Sequence, residues 1–538
     1  MRSFQKILVA NRSEIAIRVF RAATELGIRT VAIYAEQDKL SLHRFKADEA
    51  YRLDPDKGPI EAYLAIEDIV RTARDAGVDA VHPGYGLLSE NPEFAEACAQ
   101  NGITFIGPGP ETMRALGDKV SARQIAIAAG VPVIPASESL PRDLTECEEI
   151  AREIGYPLML KASWGGGGRG MRPIHEPEQL RAAIEEGRRE AKSAFGRDEV
   201  YLEKLIGDAR HVEVQILGDA DGNLVHLFER DCTIQRRNQK VIERAPAPYL
   251  GDRQRAAICE GALKIGRHTS YRNAGTVEFL LDRQSGEYYF IEVNPRIQVE
   301  HTITEEVTGL DIVKAQIRIA EGGRIGSLHE TGIPEQANIT LSGHAIQCRV
   351  TSEDPQNSFI PDYGRITAYR GAFGNGIRID GGTAYSGAVV TRFYDPLLEK
   401  IIAWAPSPNE AQARMLRALR EYRIRGVATN LPFLENLLSH AAFGEADYNT
   451  RFIDSHPELL SAKKRRDRAT RLLTYIADVT VNGHPDVEGR PKPPATALEP
   501  VPPRLAGEAP AGTRQVLAER GAQGFADWLR EQKQVLFA

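Results

Sequence analysis

GTVEFLLDRQSGEYYFIEVNPR, from Gly275 to Arg296, reads as two strands of alternating hydrophobicity around a turn at Arg283 to Glu287. A symmetric hairpin centred on Ser285 sets Glu278 directly opposite Glu292. Side chains alternate along a strand, so Leu280 and Asn294 share that face, while Phe279, Ile291 and Val293 point into a core. Two facing carboxylates repel unless a cation lies between them. Glu278, Glu292 and the Asn294 amide oxygen make a hard, all-oxygen ligand set suited to Mg²⁺ or Mn²⁺. Two glutamates on a solvated sheet face would be the commoner arrangement, but the apolar neighbours and the Asn-Pro-Arg turn argue against it here.

Upstream, the chain opens with ILVA from Ile7, cap candidates Asn11 and Ser13, a helical run EIAIRVFRAATEL, a stop at Gly27 and a second strand TVAIYA. This βαβ pattern recurs over the first 110 or so residues and predicts a doubly wound parallel sheet. No GxGxxG follows the first strand, so a dinucleotide fingerprint is missing. Further on, YPLMLKAS, the glycines 165–168 and RGMRPI give a strand, Gly run, strand order, which describes a flap rather than a P-loop. From about Gln336 to Phe452, short strands and a helix at Asn409 to Arg420 read as a third, α+β unit. The Pro-rich stretch RPKPPATALEPVPP reads as a linker.

The 538 residues are 42% hydrophobic and 26% charged, ample for several globular cores. The net charge of -6 offers no bulk positive field for nucleic acid or an anionic membrane. Any anion site is therefore local. Five scattered cysteines without a CxxC pair support neither a disulfide framework nor a zinc site. No signal-peptide layout and no run of 18 apolar residues is present, so the expected setting is cytoplasmic. Lys119, after a Gly-Asp turn, and Lys161, before the Gly run, are placed to serve the phosphates of a nucleotide under the flap.

The motifs KILVANRSEIAIRV, HPGYGLLSEN, KASWGGGGRGMR, ERDCTIQRRNQK, FIEVNPRIQVEHT and HAIQCRV follow one another in that order. With them the chain resembles the biotin carboxylase component of biotin-dependent carboxylases, an ATP-grasp family, continuously from Lys6 to about Phe452. The implied fold is α/β and α+β multidomain. A doubly wound domain (1–115) precedes an ATP-grasp domain (116–330, flap about 135–205), and a small α+β domain (336–452) follows. The tail (453–538) is similar to the linker and part of the allosteric segment of single-chain pyruvate carboxylase.

The resemblance implies a nucleotide site of Lys119, Lys161, Gly165, Gly166, Gly167, Gly168, Met171, Glu203, Lys204, Ile206, His211, Gln235 and Leu280. It implies metal at Glu278, Glu292 and Asn294, and bicarbonate at Lys240, Arg296, Gln298 and the Val299 backbone. Glu300 would be the base, with Lys240 and Arg296 in a positively charged pocket; biotin would meet Tyr85, Gly86 and Arg349, whose guanidinium would stabilise the ureido enolate. The implied reaction is ATP-dependent carboxylation of biotin by bicarbonate through carboxyphosphate, with ATP, Mg²⁺ or Mn²⁺ and biotin as cofactors. Asn238 stands where many relatives carry His, and Cys232, within the site region, is assigned no chemistry.

None of the five methionines precedes a lysine, so the family's Met-Lys biotin acceptor is missing and biotin is expected free or on a carrier domain in trans. The chain is expected to stop before the carboxyltransferase domain and to form a homodimer, without nucleic-acid or membrane partners. A subunit of an acetyl-CoA or propionyl-CoA carboxylase is the alternative that the tail argues against. A non-catalytic ATP-binding remnant is argued against by intact Lys240, Arg296, Glu300 and Arg349.

Overall fold

The computed structural model describes residues 3–163, 171–461 and 468–483. The glycines 165–168 of the expected flap lie outside the described residues, as does the Pro-rich stretch read as a linker. Two compact units divide the chain, Met1–Ala462 and Lys463–Ala538. In the second, the described element is a helix, Arg468–Asn482.

The first unit begins with β1 (Lys6–Val9), α1 (Ser13–Glu25), β2 (Arg29–Tyr34), β3 (Glu49–Arg52), β4 (Ala80–His82) and β5 (Thr104–Phe105). Their sheet is parallel in the order β3-β2-β1-β4-β5, the doubly wound arrangement the βαβ pattern predicts. The expected caps are not caps. Arg12 holds the N-cap position of α1 without a side-chain bond, because Asn11 and Ser13 serve other contacts. Asn11 Nδ2 donates to the carbonyls of Pro83 and Tyr85 at 2.7 and 2.8 Å, pinning the loop after β4, and Ser13 Oγ lies 2.9 Å from Thr383 Oγ1.

Strands β6 (Leu158–Ala162), β7 (Arg172–Ile174) and β8 (Val200–Lys204) form a separate antiparallel sheet, β7-β6-β8, within the predicted flap. Its own core of Leu158, Leu160, Ile174, Leu180, Ile184 and Leu202 lets it fold as a plate.

The main sheet has eight strands and runs through both the expected central and C-terminal domains. It comprises β9 (Ala209–Gly218), β10 (Leu224–Arg236), β11 (Gln239–Ala245), β12 (Asn273–Asp282), β13 (Tyr288–Asn294), β14 (His344–Thr351), β15 (Ile377–Gly381) and β16 (Leu397–Ala405). The order β13-β12-β9-β10-β11-β14-β16-β15 carries it across the expected boundary, since β11 pairs with β14. Sequence patterning sees strands but not which edge joins which, so a sheet shared by two units is invisible to it.

Candidate active site

The hairpin of β12 and β13 holds Glu278 opposite Glu292, but by a route the symmetric turn does not supply. Next to the turn Leu281 pairs with Tyr288 and Phe279 with Phe290, which would carry a regular ladder on to Glu278 opposite Ile291. A register shift between Glu278 and Phe279 restores Glu292 as the partner. Phe290, not Ile291, therefore joins Phe279 and Val293 in the core. The bulge keeps apolar burial on one side and a carboxylate pair on the other.

Register extends this pair into a row across four strands. Arg230 of β10 pairs with Glu213 of β9, Glu213 with Glu278, and Glu278 with Glu292. Opposite residues share a sheet face, so one cation and three carboxylates line up side by side. Further along the sheet, Arg349 of β14 stands opposite Lys400 of β16, and Lys400 opposite Asp380 of β15.

Lys240 of β11 joins these rows. Its ammonium pairs with Glu213 and donates to Glu278 Oε1 at 2.8 Å and Glu300 Oε1 at 2.7 Å. Glu300, at the N-cap of the helix His301–Thr308, also accepts from Arg349 Nη2 at 3.1 Å. Arg349 Nε donates to Glu243 Oε1 at 2.6 Å. Glu278 accepts further from Asn294 Nδ2 and Gln298 Nε2, both at 2.9 Å, and His211 Nε2 lies 2.9 Å from its other oxygen. Burial would raise the Glu300 carboxyl, but Lys240, Arg349 and Arg230 outweigh it and hold the group well below the usual carboxylate range. Burial would likewise raise Glu278, yet Lys240 and His211 hold it low. Burial works against the Lys240 ammonium, and Glu213, Glu278 and Glu300 overcome it, pushing that group well above the usual lysine value.

The cations of the expected positively charged pocket carry counter-charges in this structure. Lys240 is saturated by three carboxylates, because an ammonium taken out of water needs counter-charges. Arg296 is engaged as well, donating to Glu90 at 3.1 Å and to Asn294 Oδ1 at 2.9 Å. Asn294 consequently presents nitrogen to Glu278, and as a metal ligand it would use Oδ1, the atom now accepting from Arg296. In chemistry the set fits a hard divalent cation, with two carboxylates in register and an amide oxygen on the same face.

The remaining expected residues fall into smaller groups. Lys119 Nζ lies 3.6 Å from Glu292, beside a cavity of about 310 Å³ lined by Asp118, Lys119, Arg123, Ser163, Glu199 and Tyr201. Lys161 pairs with Glu203 on the flap sheet, while Lys204 turns inward to the Gly155 and Tyr156 carbonyls at 2.8 and 2.7 Å. Met171 and Ile206 are half-buried at the ends of flap strands. Leu280 stands in register with His211, and Gln235 with Lys240. Tyr85 bonds Glu14, and Gly86 is exposed in the same loop. Asn238 and Arg237, at φ 62° and 48°, form the two-residue turn between β10 and β11. A hairpin turn with two positive φ angles favours Asn, which accounts for the residue that departs from the family pattern. Cys232 is buried with its thiol pushed far up by that burial, consistent with no chemistry.

Four residues escaped the sequence reading. Arg230, with no exposed surface, donates to Gln215 at 2.9 Å, Thr276 and Thr304 at 3.0 Å and Gln298 at 3.1 Å, and it pairs with Glu213. Glu213, Glu243 and Lys400 are equally buried. The signal for them was available as charges inside otherwise apolar strands, where a charge demands a partner.

Comparison with known proteins gives the following. Residues 3–113 match the biotin carboxylase N-terminal domain, residues 118–328 the ATP-binding domain of the carbamoyl-phosphate synthase L chain, and residues 347–455 the biotin carboxylase C-terminal domain. The chain is 53% identical to Bacillus subtilis pyruvate carboxylase over 99% of its own length and 46% of that protein's. It spans about half the length of the curated relatives it matches. A Rhizobium etli pyruvate carboxylase variant with the allosteric activator acetyl coenzyme-A superposes with a TM-score of 0.82 at 62% identity, over 98% of this chain and 47% of that one. The biotin carboxylase domain dimer of Hydrogenobacter thermophilus 2-oxoglutarate carboxylase, with MgADP, ADP and bicarbonate, gives 0.80 at 45% identity over 86% of this chain and 99% of that one.

Proposed function

Because this chain belongs to the biotin carboxylase family, we propose that it catalyses ATP-dependent carboxylation of biotin by bicarbonate, the first half-reaction of a pyruvate carboxylase. The observation that carries this reading is the Glu300 carboxylate clasped between the Lys240 ammonium and the Arg349 guanidinium. A base at this position has to be ionised at neutral pH, and these cations keep it so. The same cations leave it weakly basic. When bicarbonate enters and shares Lys240, Glu300 loses part of its stabilisation and its basicity rises where the proton is to be taken.

In the proposed sequence, Glu300 accepts the bicarbonate proton and a bicarbonate oxygen attacks the γ-phosphorus, with ADP leaving. Carboxyphosphate then breaks to CO₂ and phosphate, and that phosphate removes the ureido N–H proton of biotin. Arg349 stabilises the charge on the ureido oxygen, and the nitrogen attacks CO₂. Gln298, held by Arg230, and the Val299 backbone would orient bicarbonate. A divalent cation held by Glu278, Glu292 and Asn294 would supply charge neutralisation for the β- and γ-phosphates.

Biotin is proposed to arrive free or on a carrier domain in trans, and two copies of the chain to associate, as the Hydrogenobacter domain does in its described dimer. Among the described residues, no helix is long and apolar enough to cross a membrane. A cytoplasmic setting goes with this reading, supported by five free, buried cysteines.

The test is ADP release by the purified chain with ATP, Mg²⁺, bicarbonate and free biotin. Release that needs all four is expected. Glu300→Gln should bind ATP normally and lose turnover by roughly 10²-fold or more. Full turnover in that variant sinks the assignment of the base.

A further inference from the structure

Lys400 lies beneath the site with no exposed side-chain surface and gathers partners from three separate segments of the first unit. It donates to the Val299 carbonyl at 2.9 Å, in the loop that carries Gln298 and Glu300. Its ammonium sits 3.1 Å from Glu14 Oε2, on α1, and 3.9 Å from Asp380 Oδ2, on β15. The other Glu14 oxygen accepts from the Tyr85 hydroxyl, in the loop after β4. A continuous line of polar contacts therefore runs from the Tyr85 loop through Glu14 and Lys400 to the Val299 backbone.

The surroundings leave this line little slack. Glu14 is 3% exposed. Gly382, next to β15, packs so closely that a Cβ there would sit 2.3 Å from the Glu14 backbone nitrogen. Ser13, just before Glu14, takes a positive φ of 57° to enter α1 at this contact. Backbone strain of this kind persists only where the surrounding packing over-determines it.

We infer that Lys400 and Glu14 are positioning residues that hold the Tyr85 loop in register with the Gln298–Glu300 loop, so that CO₂ released in one is captured by biotin in the other. The inference rests on the proposed reading of Tyr85 as a biotin contact and of Val299 as part of the bicarbonate site. A buried ammonium shared by three segments fixes their relative placement, and a small displacement between reacting groups is costly. Loosening the line lets ATP be cleaved without carboxylation.

The experiment measures ADP and carboxybiotin together, with the Michaelis constants for ATP, bicarbonate and biotin. Lys400→Met strands Glu14 as a buried charge, while Asp380 keeps its pair with Arg378, and is at risk of not folding, so Glu14→Gln, which keeps the volume, is the second variant. In either variant, folded by circular dichroism, the ratio of ADP to carboxybiotin should rise severalfold and the bicarbonate KM roughly tenfold, with the ATP KM unmoved. An unchanged ratio and bicarbonate KM in folded Glu14→Gln overturn the inference, as does an ATP KM that moves in parallel. Absence of biotin-dependent ADP release in the unmodified chain overturns the parent reading and this one with it, a result distinct from a normal parent and a silent variant.

Discussion

Arg230 shows how much one residue holds here. Its guanidinium bonds Gln215, Thr276, Thr304 and Gln298 while pairing with Glu213, so every direction in which it could seek water is filled by protein. Arg230→Met is expected to leave Glu213 short of a counter-charge in a dry interior, at a cost of about 3–5 kcal/mol, read by urea unfolding. Unaltered stability would mean that Lys240 alone satisfies Glu213. Arg349 plays a different part. It bonds Glu300 and Glu243, and its guanidinium is proposed to act on biotin rather than on ATP. Arg349→Ala should preserve bicarbonate-dependent ATP cleavage and depress carboxybiotin formation. Equal loss of both would remove the enolate role.

Strands are the scale at which sequence alone reads both best and worst. Alternation in EFLLD and YYFIEVN announces the hairpin and brings Glu278 to Glu292, yet the register shift that makes the pairing true has no signature in composition. The flap strands and β14 are legible for the same reason, whereas the joining of β11 to β14 is a long-range choice that local pattern does not encode. Lys240, Glu300 and Arg349 were legible through motifs; their mutual neutralisation was not, because it depends on which strands lie side by side. β16 displays the alternation in its charges. Lys400 faces the site, and Glu399, 1% exposed, faces the opposite core, where Tyr369 donates to it at 2.8 Å. Burial raises the Glu399 carboxyl to about 7. The folded protein thus keeps a proton that the unfolded chain releases near pH 4.5, so this contribution is intact below that pH and is lost as pH rises through 7. Glu399→Gln should match the parent at pH 5 and exceed it at pH 8 by up to roughly 3 kcal/mol. Denaturant midpoints at the two pH values decide this, and a difference of the opposite sign would reject it.

Across the whole first unit, four buried histidines are expected to set the acid limit. His43, His82, His301 and His344 are buried in different regions of it, and burial, the largest cause for each, lowers all four. His43 and His82 fall to about 4, and His301 and His344 to about 3, from an ordinary 6.5. Neutral in the fold and protonated in the unfolded chain below pH 6.5, they contribute stability that is present above that value and lost as pH falls through their folded values. Each adds a slope of about 1.4 kcal/mol per pH unit inside its window, opposite in sign to that of Glu399. His82 ties this to the site. Its Nδ1 accepts from the Gly84 N–H at 3.0 Å and its Nε2 lies 3.2 Å from Gln316, so it joins the Tyr85 loop to the helix Ile312–Ala320. A proton on Nδ1 would abolish the bond from Gly84 and release that loop. Urea unfolding between pH 7.5 and 4.5 is therefore expected to show stability falling steeply below pH 6.5. Amide hydrogen exchange at Gly84 to Gly86 should accelerate beyond the solvent pH effect before the sheet does. Flat stability across that range, or a loop whose protection persists until global unfolding, would show that these histidines are not what limits the fold in acid.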